Sequence, residues 1–194
     1  MIRRHAAALL AALGLAACLQ AQGATISLSP SSALVAESQS FTLDLLLSAA
    51  DAPGNHPGAM SGEVIISYDP ALVSYQGGSL SLGSGVSLYL PLSVGSDNGL
   101  QTLTFGFQDA ADISTVATLT FTALGAAGST INFGLADNDD FAGSFVNADD
   151  TNLRFDPAFI GTSVQVVPLP GGAWLALTAF AALAGRVRRS SRRA

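Results

Sequence analysis

From residue 25 to residue 166 the hydrophobic positions recur every second residue. Phe41, Leu43, Leu45 and Leu47 alternate with Thr42, Asp44, Leu46 and Ser48, and Val64, Ile66 and Tyr68 alternate with Glu63, Ile65 and Ser67. Val86, Leu88, Leu90 and Leu92 alternate with Ser87, Tyr89 and Pro91. Leu103, Phe105 and Phe107 alternate with Thr102, Thr104 and Gly106, and Ala117, Leu119 and Phe121 with Thr118, Thr120 and Thr122. Ile131, Phe133 and Leu135 continue the pattern, then Ile160, Thr162, Val164 and Val166. Successive strand side chains point to opposite faces, so each run predicts a strand with one buried and one wet face. Turn-forming residues separate the runs: Pro30-Ser31-Ser32, Asp69-Pro70, Gly77-Gly78, Gly95 to Gly99 and Gly125 to Gly128. Many short strands at even spacing predict an all-β, antiparallel sandwich over residues 24–166.

The period breaks at both ends. Residues 1–23 begin with basic Arg3 and Arg4, continue through an uncharged apolar run from Ala6 to Ala17, and end on Ala21-Gln22-Gly23. That order is a secretory signal peptide with cleavage expected before Ala24. Leu15-Ala16-Ala17-Cys18 also resembles a bacterial lipobox, in which Cys18 would take a lipid and become the new N-terminus; the two outcomes stay open. At the other end, Val167-Pro168-Leu169-Pro170 precedes an uncharged run from Gly171 to Gly185, followed by Arg186, Arg188, Arg189, Arg192 and Arg193. Proline stops the preceding strand because it cannot donate to a ladder. As a helix the run would extend about 22 Å, short of the roughly 30 Å of a bilayer core, and the arginines would hold the C-terminus on the cytoplasmic side.

Charge is partitioned in the same three parts. All fourteen acidic residues lie between Glu37 and Asp156, where Arg154 is the single basic one, so the middle carries a net charge near −13. Such a surface repels phosphate backbones, which excludes nucleic acid as a partner, and attracts cations or basic protein faces. The sole cysteine, Cys18, lies in the signal region, so the middle domain offers no disulfide, thiolate or cysteine–zinc chemistry. Its one histidine, His56, sits in the loop-like Pro53-Gly54-Asn55-His56-Pro57-Gly58. No nucleophile-elbow pattern lies near it, and no second base accompanies it. The densest acidic stretches contain Asp137, Asp139 and Asp140, then Asp149 and Asp150. Hard oxygen ligands on loops suit calcium, although the spacing is not an EF-hand and solvated turns use the same residues. For sugar stacking the middle has no tryptophan and three tyrosines, Tyr68, Tyr75 and Tyr89; Tyr68 shares a face with Val64 and Ile66 and is expected in the core.

Two resemblances bear on function. The proline motif, apolar helix and arginine cluster of Val167–Ala194 resemble the PEP-CTERM sorting signals of Gram-negative bacteria, in the subtype with Val-Pro-Leu-Pro. That resemblance implies recognition of Val167, Pro168, Leu169 and Pro170 by a membrane exosortase, an inner-membrane-anchored intermediate, and delivery to the cell surface or extracellular matrix. The family's glutamate is absent, and Gly171 stands where the subtype usually has alanine. The middle domain resembles a cohesin, a jelly-roll sandwich, in three stretches: Thr25 to Pro30 with Phe41 to Leu47, Gly62 to Val73 with its Tyr-Asp-Pro corner, and Val116 to Phe121. Together these imply a non-enzymatic exported protein that binds another protein in matrix or exopolysaccharide assembly. A carbohydrate-binding module acting on extracellular polysaccharide is the alternative.

Overall fold

A computed structural model of the chain describes residues 24–48, 60–111, 113–138, 145–147, 150–155 and 157–168. Strands follow one another as β1 (Thr25–Pro30), β2 (Leu34–Ala36), β3 (Ser40–Ser48), β4 (Met60–Tyr68), β5 (Val73–Tyr75), β6 (Ser81–Leu82) and β7 (Ser87–Asp97). They continue with β8 (Leu100–Ala110), β9 (Ile113–Ala123), β10 (Thr130–Asp137), β11 (Phe145–Asn147), β12 (Asp150–Phe155), β13 (Ala158–Ile160) and β14 (Thr162–Val167). No helix occurs among the described residues.

The period-two pattern becomes two packed sheets. One sheet has six strands in the order β13-β1-β3-β9-β5, with β6 also on β9. The second has eight strands: β4 pairs with β8 on one side and with β10 and β11 on the other, β7 lies outside β8, β12 outside β11, and β14 then β2 beyond β10. Phe41, Leu43, Leu45 and Leu47 from the first sheet meet Val64, Ile66, Tyr68, Leu103, Phe105 and Phe107 from the second, all buried. Phe121 is the hub of an aromatic cluster. Its ring centroid lies 5.0 Å from Phe133, 5.3 Å from Tyr68, 5.6 Å from Tyr75 and 6.0 Å from Phe41. Each such ring removed from water contributes about 2–3 kcal/mol, so this cluster welds the two sheets more firmly than any hydrogen bond in them.

Among the described residues the pairing is antiparallel with two exceptions, each beside a point where the chain crosses from one sheet to the other. β1 pairs in parallel with β13, and β14 pairs in parallel with β2. Of the chain's several changes of sheet, these two follow directly on a strand: after Pro30, between β1 and β2, and at Gly161, between β13 and β14. A Cβ at Gly161 would meet the carbonyl oxygen of Phe133, so only glycine lets the strand cross there. The continuous alternating run read from Ile160 to Val166 is therefore two strands in two sheets. Val164 and Val166 are buried while Ile160 is 50% exposed.

The predicted turns hold with local adjustment. Asp69 Oδ1 accepts the Ala71 N–H at 2.8 Å, and the Asp69 carbonyl accepts those of Leu72 and Val73, so the Tyr-Asp-Pro corner is a capped turn. The turn read from Gly95 to Gly99 tightens to Asn98-Gly99 alone, both with positive φ (49° and 85°), as a two-residue hairpin requires. β7 thus runs on to Asp97, paired with Leu100.

Candidate functional site

The residues singled out from sequence are dispersed or lie outside the described residues. Val167 ends β14 opposite Ala36, and Pro168 follows it, which matches the expected strand stop. Leu169, Pro170 and Cys18 lie outside the described residues, as does His56. Of the acidic set, Asp137 ends β10 opposite Val64 and is half-buried, and Asp150 opens β12 opposite Asn147. Asp139, Asp140 and Asp149 lie outside the described residues. Among the described residues no group of three or more His, Cys, Asp or Glu side chains stands together as a metal site.

The three tyrosines separate by environment. Tyr68 is buried, as expected, and donates to Gln101 Oε1 at 2.8 Å. Burial pushes its hydroxyl up to about 12, so it remains a donor across the physiological range. Tyr75 packs against Phe121 at the margin of the core. Tyr89 is 47% exposed and stands on the outer face of the eight-stranded sheet.

How Tyr89 reaches that face follows from register. Leu88 pairs with Phe107 and Leu90 with Gly106, which leaves Tyr89 as a surplus residue in a bulge. Its ring lies across Gly106: a Cβ there would sit 2.7 Å from Tyr89 Cζ and 2.9 Å from Cε2. Gly106 pairs with Glu63 of the next strand, and the phenol donates to Glu63 Oε1 at 3.1 Å. From the opposite side Asn138 Nδ2 donates to Glu63 Oε2 at 2.6 Å. Side chains following from β7, β4 and the end of β10 therefore converge on a carboxylate whose two hydrogen bonds come from neutral donors. Sequence alternation put Tyr89 and Glu63 on wet faces but carried no sign that they meet, because their contact crosses β8 at its glycine.

The outer face of the six-stranded sheet is built differently. Thr118 donates to Asp44 Oδ1 at 2.6 Å, Ser40 and Thr122 hydroxyls lie 3.3 Å apart, and Gln76 Nε2 donates to both at 3.0 and 2.8 Å. Along the same edge, Gln76 N–H bonds the Thr120 carbonyl and Gly83 N–H that of Val116, which binds the segment around β6 to β9.

With this geometry in view, comparison with solved structures is informative at the level of fold. A cohesin of Acetivibrio cellulolyticus scaffoldin B, in complex with a Cel5 dockerin, superposes over 74% of this chain and 99% of its own at TM-score 0.50 and 16% identity. The seventh ScaB type I cohesin of Pseudobacteroides cellulosolvens does so over 76% and 94% at TM-score 0.52 and 14% identity. The Coh-OlpA–Doc918 type I cohesin–dockerin complex of Clostridium thermocellum does so over 75% and 99% at TM-score 0.53 and 12% identity. The fold is cohesin-like. No sequence-family profile matches the chain, and no curated protein matches it in sequence.

Proposed function

We propose that this chain is a non-enzymatic exported protein whose sandwich binds a protein partner at the cell surface or in the extracellular matrix. The observation that carries the reading is the span of the likeness: the sandwich covers nearly the whole of cohesin modules that were crystallised with dockerins. The charge partition supports it, since one arginine against fourteen acids favours a partner with a basic face. Export by the signal of residues 1–23 and sorting by an exosortase at Val167-Pro168-Leu169-Pro170 complete the proposal, with a transient membrane anchor formed by residues 171–185. Calcium at Asp137, Asp139, Asp140, Asp149 and Asp150 belongs to the proposal as a stabiliser rather than a catalyst.

Two measurements test it. Mass spectrometry of the mature protein from its native host reports both termini and any lipid on Cys18; an unprocessed C-terminus ending at Ala194 contradicts exosortase sorting. The exported protein, immobilised and challenged with the host's secreted fraction, should retain one partner that binds saturably after separate purification. Retention no better than that of an unrelated acidic sandwich, or glycan hydrolysis abolished by a single carboxylate substitution, sinks the binding-module reading.

A further inference from the structure

The Tyr89–Glu63–Asn138 cluster has the dimensions and chemistry of a subsite for one sugar ring, and we infer that it binds a pyranose chain carrying no negative charge. Three observations lead there. First, the ring is held in place: the bulge turns Tyr89 onto the outer face, Gly106 gives the ring its seat, and the hydrogen bond to Glu63 Oε1 fixes its outer edge. At 47% exposure the ring still presents much of its surface to solvent, where the C–H face of a pyranose can stack on it. A ring already fixed loses little freedom on binding. Second, an amide and a carboxylate stand beside the platform. Their geometry, Asn138 Nδ2 to Glu63 Oε2 at 2.6 Å, leaves lone pairs and an amide hydrogen for vicinal hydroxyls. Third, the surrounding face carries Thr102, Thr104 and Ser67 around half-buried Ile65, with Leu90 beside the ring, so hydroxyls flank a narrow apolar strip as wide as one sugar face.

Charge selects among glycans. Among the described residues Glu63 accepts from two neutral donors, Tyr89 and Asn138, and the domain around it is strongly acidic, so polyuronates are repelled while neutral and amino-bearing chains are admitted. This inference does not rest on the protein-binding proposal, and either can fail alone.

The test is affinity electrophoresis of the full exported protein through gels containing a neutral β-glucan, a glucosamine polymer or a polyuronate. Retardation by at least one of the first two and none by the third is expected. Tyr89→Ala should weaken retardation at least about ten-fold, whereas Tyr89→Phe, which keeps the platform, should stay within about three-fold of the parent. Unchanged melting temperatures for both variants exclude unfolding as the cause, and Tyr89→Trp supplies a second variant that should retain or strengthen binding. No retardation by either non-anionic polymer, retardation that Tyr89→Ala leaves intact, or preference for the polyuronate overturns the inference. So does loss of a purified protein partner in Tyr89→Ala without any glycan binding, since the ring would then belong to a protein interface.

Discussion

The two outer sheet faces of this sandwich use polar residues to opposite ends. On the six-stranded side, Ser40, Asp44, Thr118, Thr122 and Gln76 bond one another, so their donors and acceptors are largely consumed within the sheet. Backbone approaches backbone there, as Gly83 shows by lying against the carbonyl of Thr115. On the eight-stranded side the close approach is of a side chain to a glycine: Tyr89 onto Gly106, with Glu63 and Asn138 around it. The first arrangement stabilises a surface and leaves it little to offer a ligand. The second holds a ring and a carboxylate in fixed positions while keeping them accessible. Gly83, just past the end of β6, thus lets backbone dock on backbone, while Gly106, inside β8, seats a side chain.

Substitutions at those two glycines should separate the faces most clearly. Gly83→Ala drives a methyl into a backbone carbonyl that cannot step aside, and should cost about 1–3 kcal/mol in urea denaturation. A loss under about 0.5 kcal/mol would show that the segment around β6 is loosely attached.

Tyr68, between the two sheets, gives the next effect and belongs to neither face. Its folded pKa of about 12 exceeds its unfolded value of 10.0, so the folded state keeps the proton where the unfolded chain would release it. The stability this supplies is fully present below pH 10 and is lost as pH rises through about 12. Denaturation midpoints should fall over that window, and Tyr68→Phe should fall less steeply; equal slopes would remove Tyr68 as the cause.

A double-mutant cycle on Asp44→Ala and Thr118→Val probes the consumed hydroxyl face. A coupling energy of about 0.5–1.5 kcal/mol is expected for this short bond, and a value near zero would mean that solvent replaces it freely. The smallest stability change should come from Gly106→Ala, about 1 kcal/mol, because the added methyl meets the Leu90 Cβ and the Tyr89 ring, and forcing that half-exposed ring off its seat breaks a surface hydrogen bond rather than core packing. Its signature is local instead: NMR resonances of the Tyr89 ring should shift while the core methyls stay in place. Core-wide shifts would show that Tyr89 is part of the packing rather than a surface platform.

Much of the framework could be read from the chain because burial of one strand face imposes a period of two. Alternation alone marks the inward residues of β3, β4, β8 and β9, from Phe41 to Leu47, Val64 to Tyr68, Leu103 to Phe107 and Ala117 to Phe121, and each residue so marked is buried. β7 departs from this. Its leucines were expected to bury one face, yet Leu88, Leu90 and Leu92 are only half-buried. As an edge strand it has a neighbour on one side only, and bulges at Leu88/Leu90 and Leu90/Ser93 shift which residues face inward. Pro91 fits this position, since an edge strand can spare an N–H, and proline together with bulges discourages pairing with another chain. Strands β11 and β12 gave no periodic signal; they are short and lie beside the acid-rich segments that read as turns.

By itself the sequence determined the all-β class, the buried faces of the long strands, the Tyr-Asp-Pro corner and the acidic character of the domain. Each follows from chemistry local to a few residues: alternation, turn preference and charge. Tertiary structure alone decided which strands share a sheet, that the chain crosses between sheets at Pro30 and Gly161, and that Tyr89, Glu63 and Asn138 meet. Those contacts join residues 26 to 75 positions apart in the chain, and what brings them together is strand register and one missing Cβ at Gly106, neither of which leaves a periodic trace in the sequence.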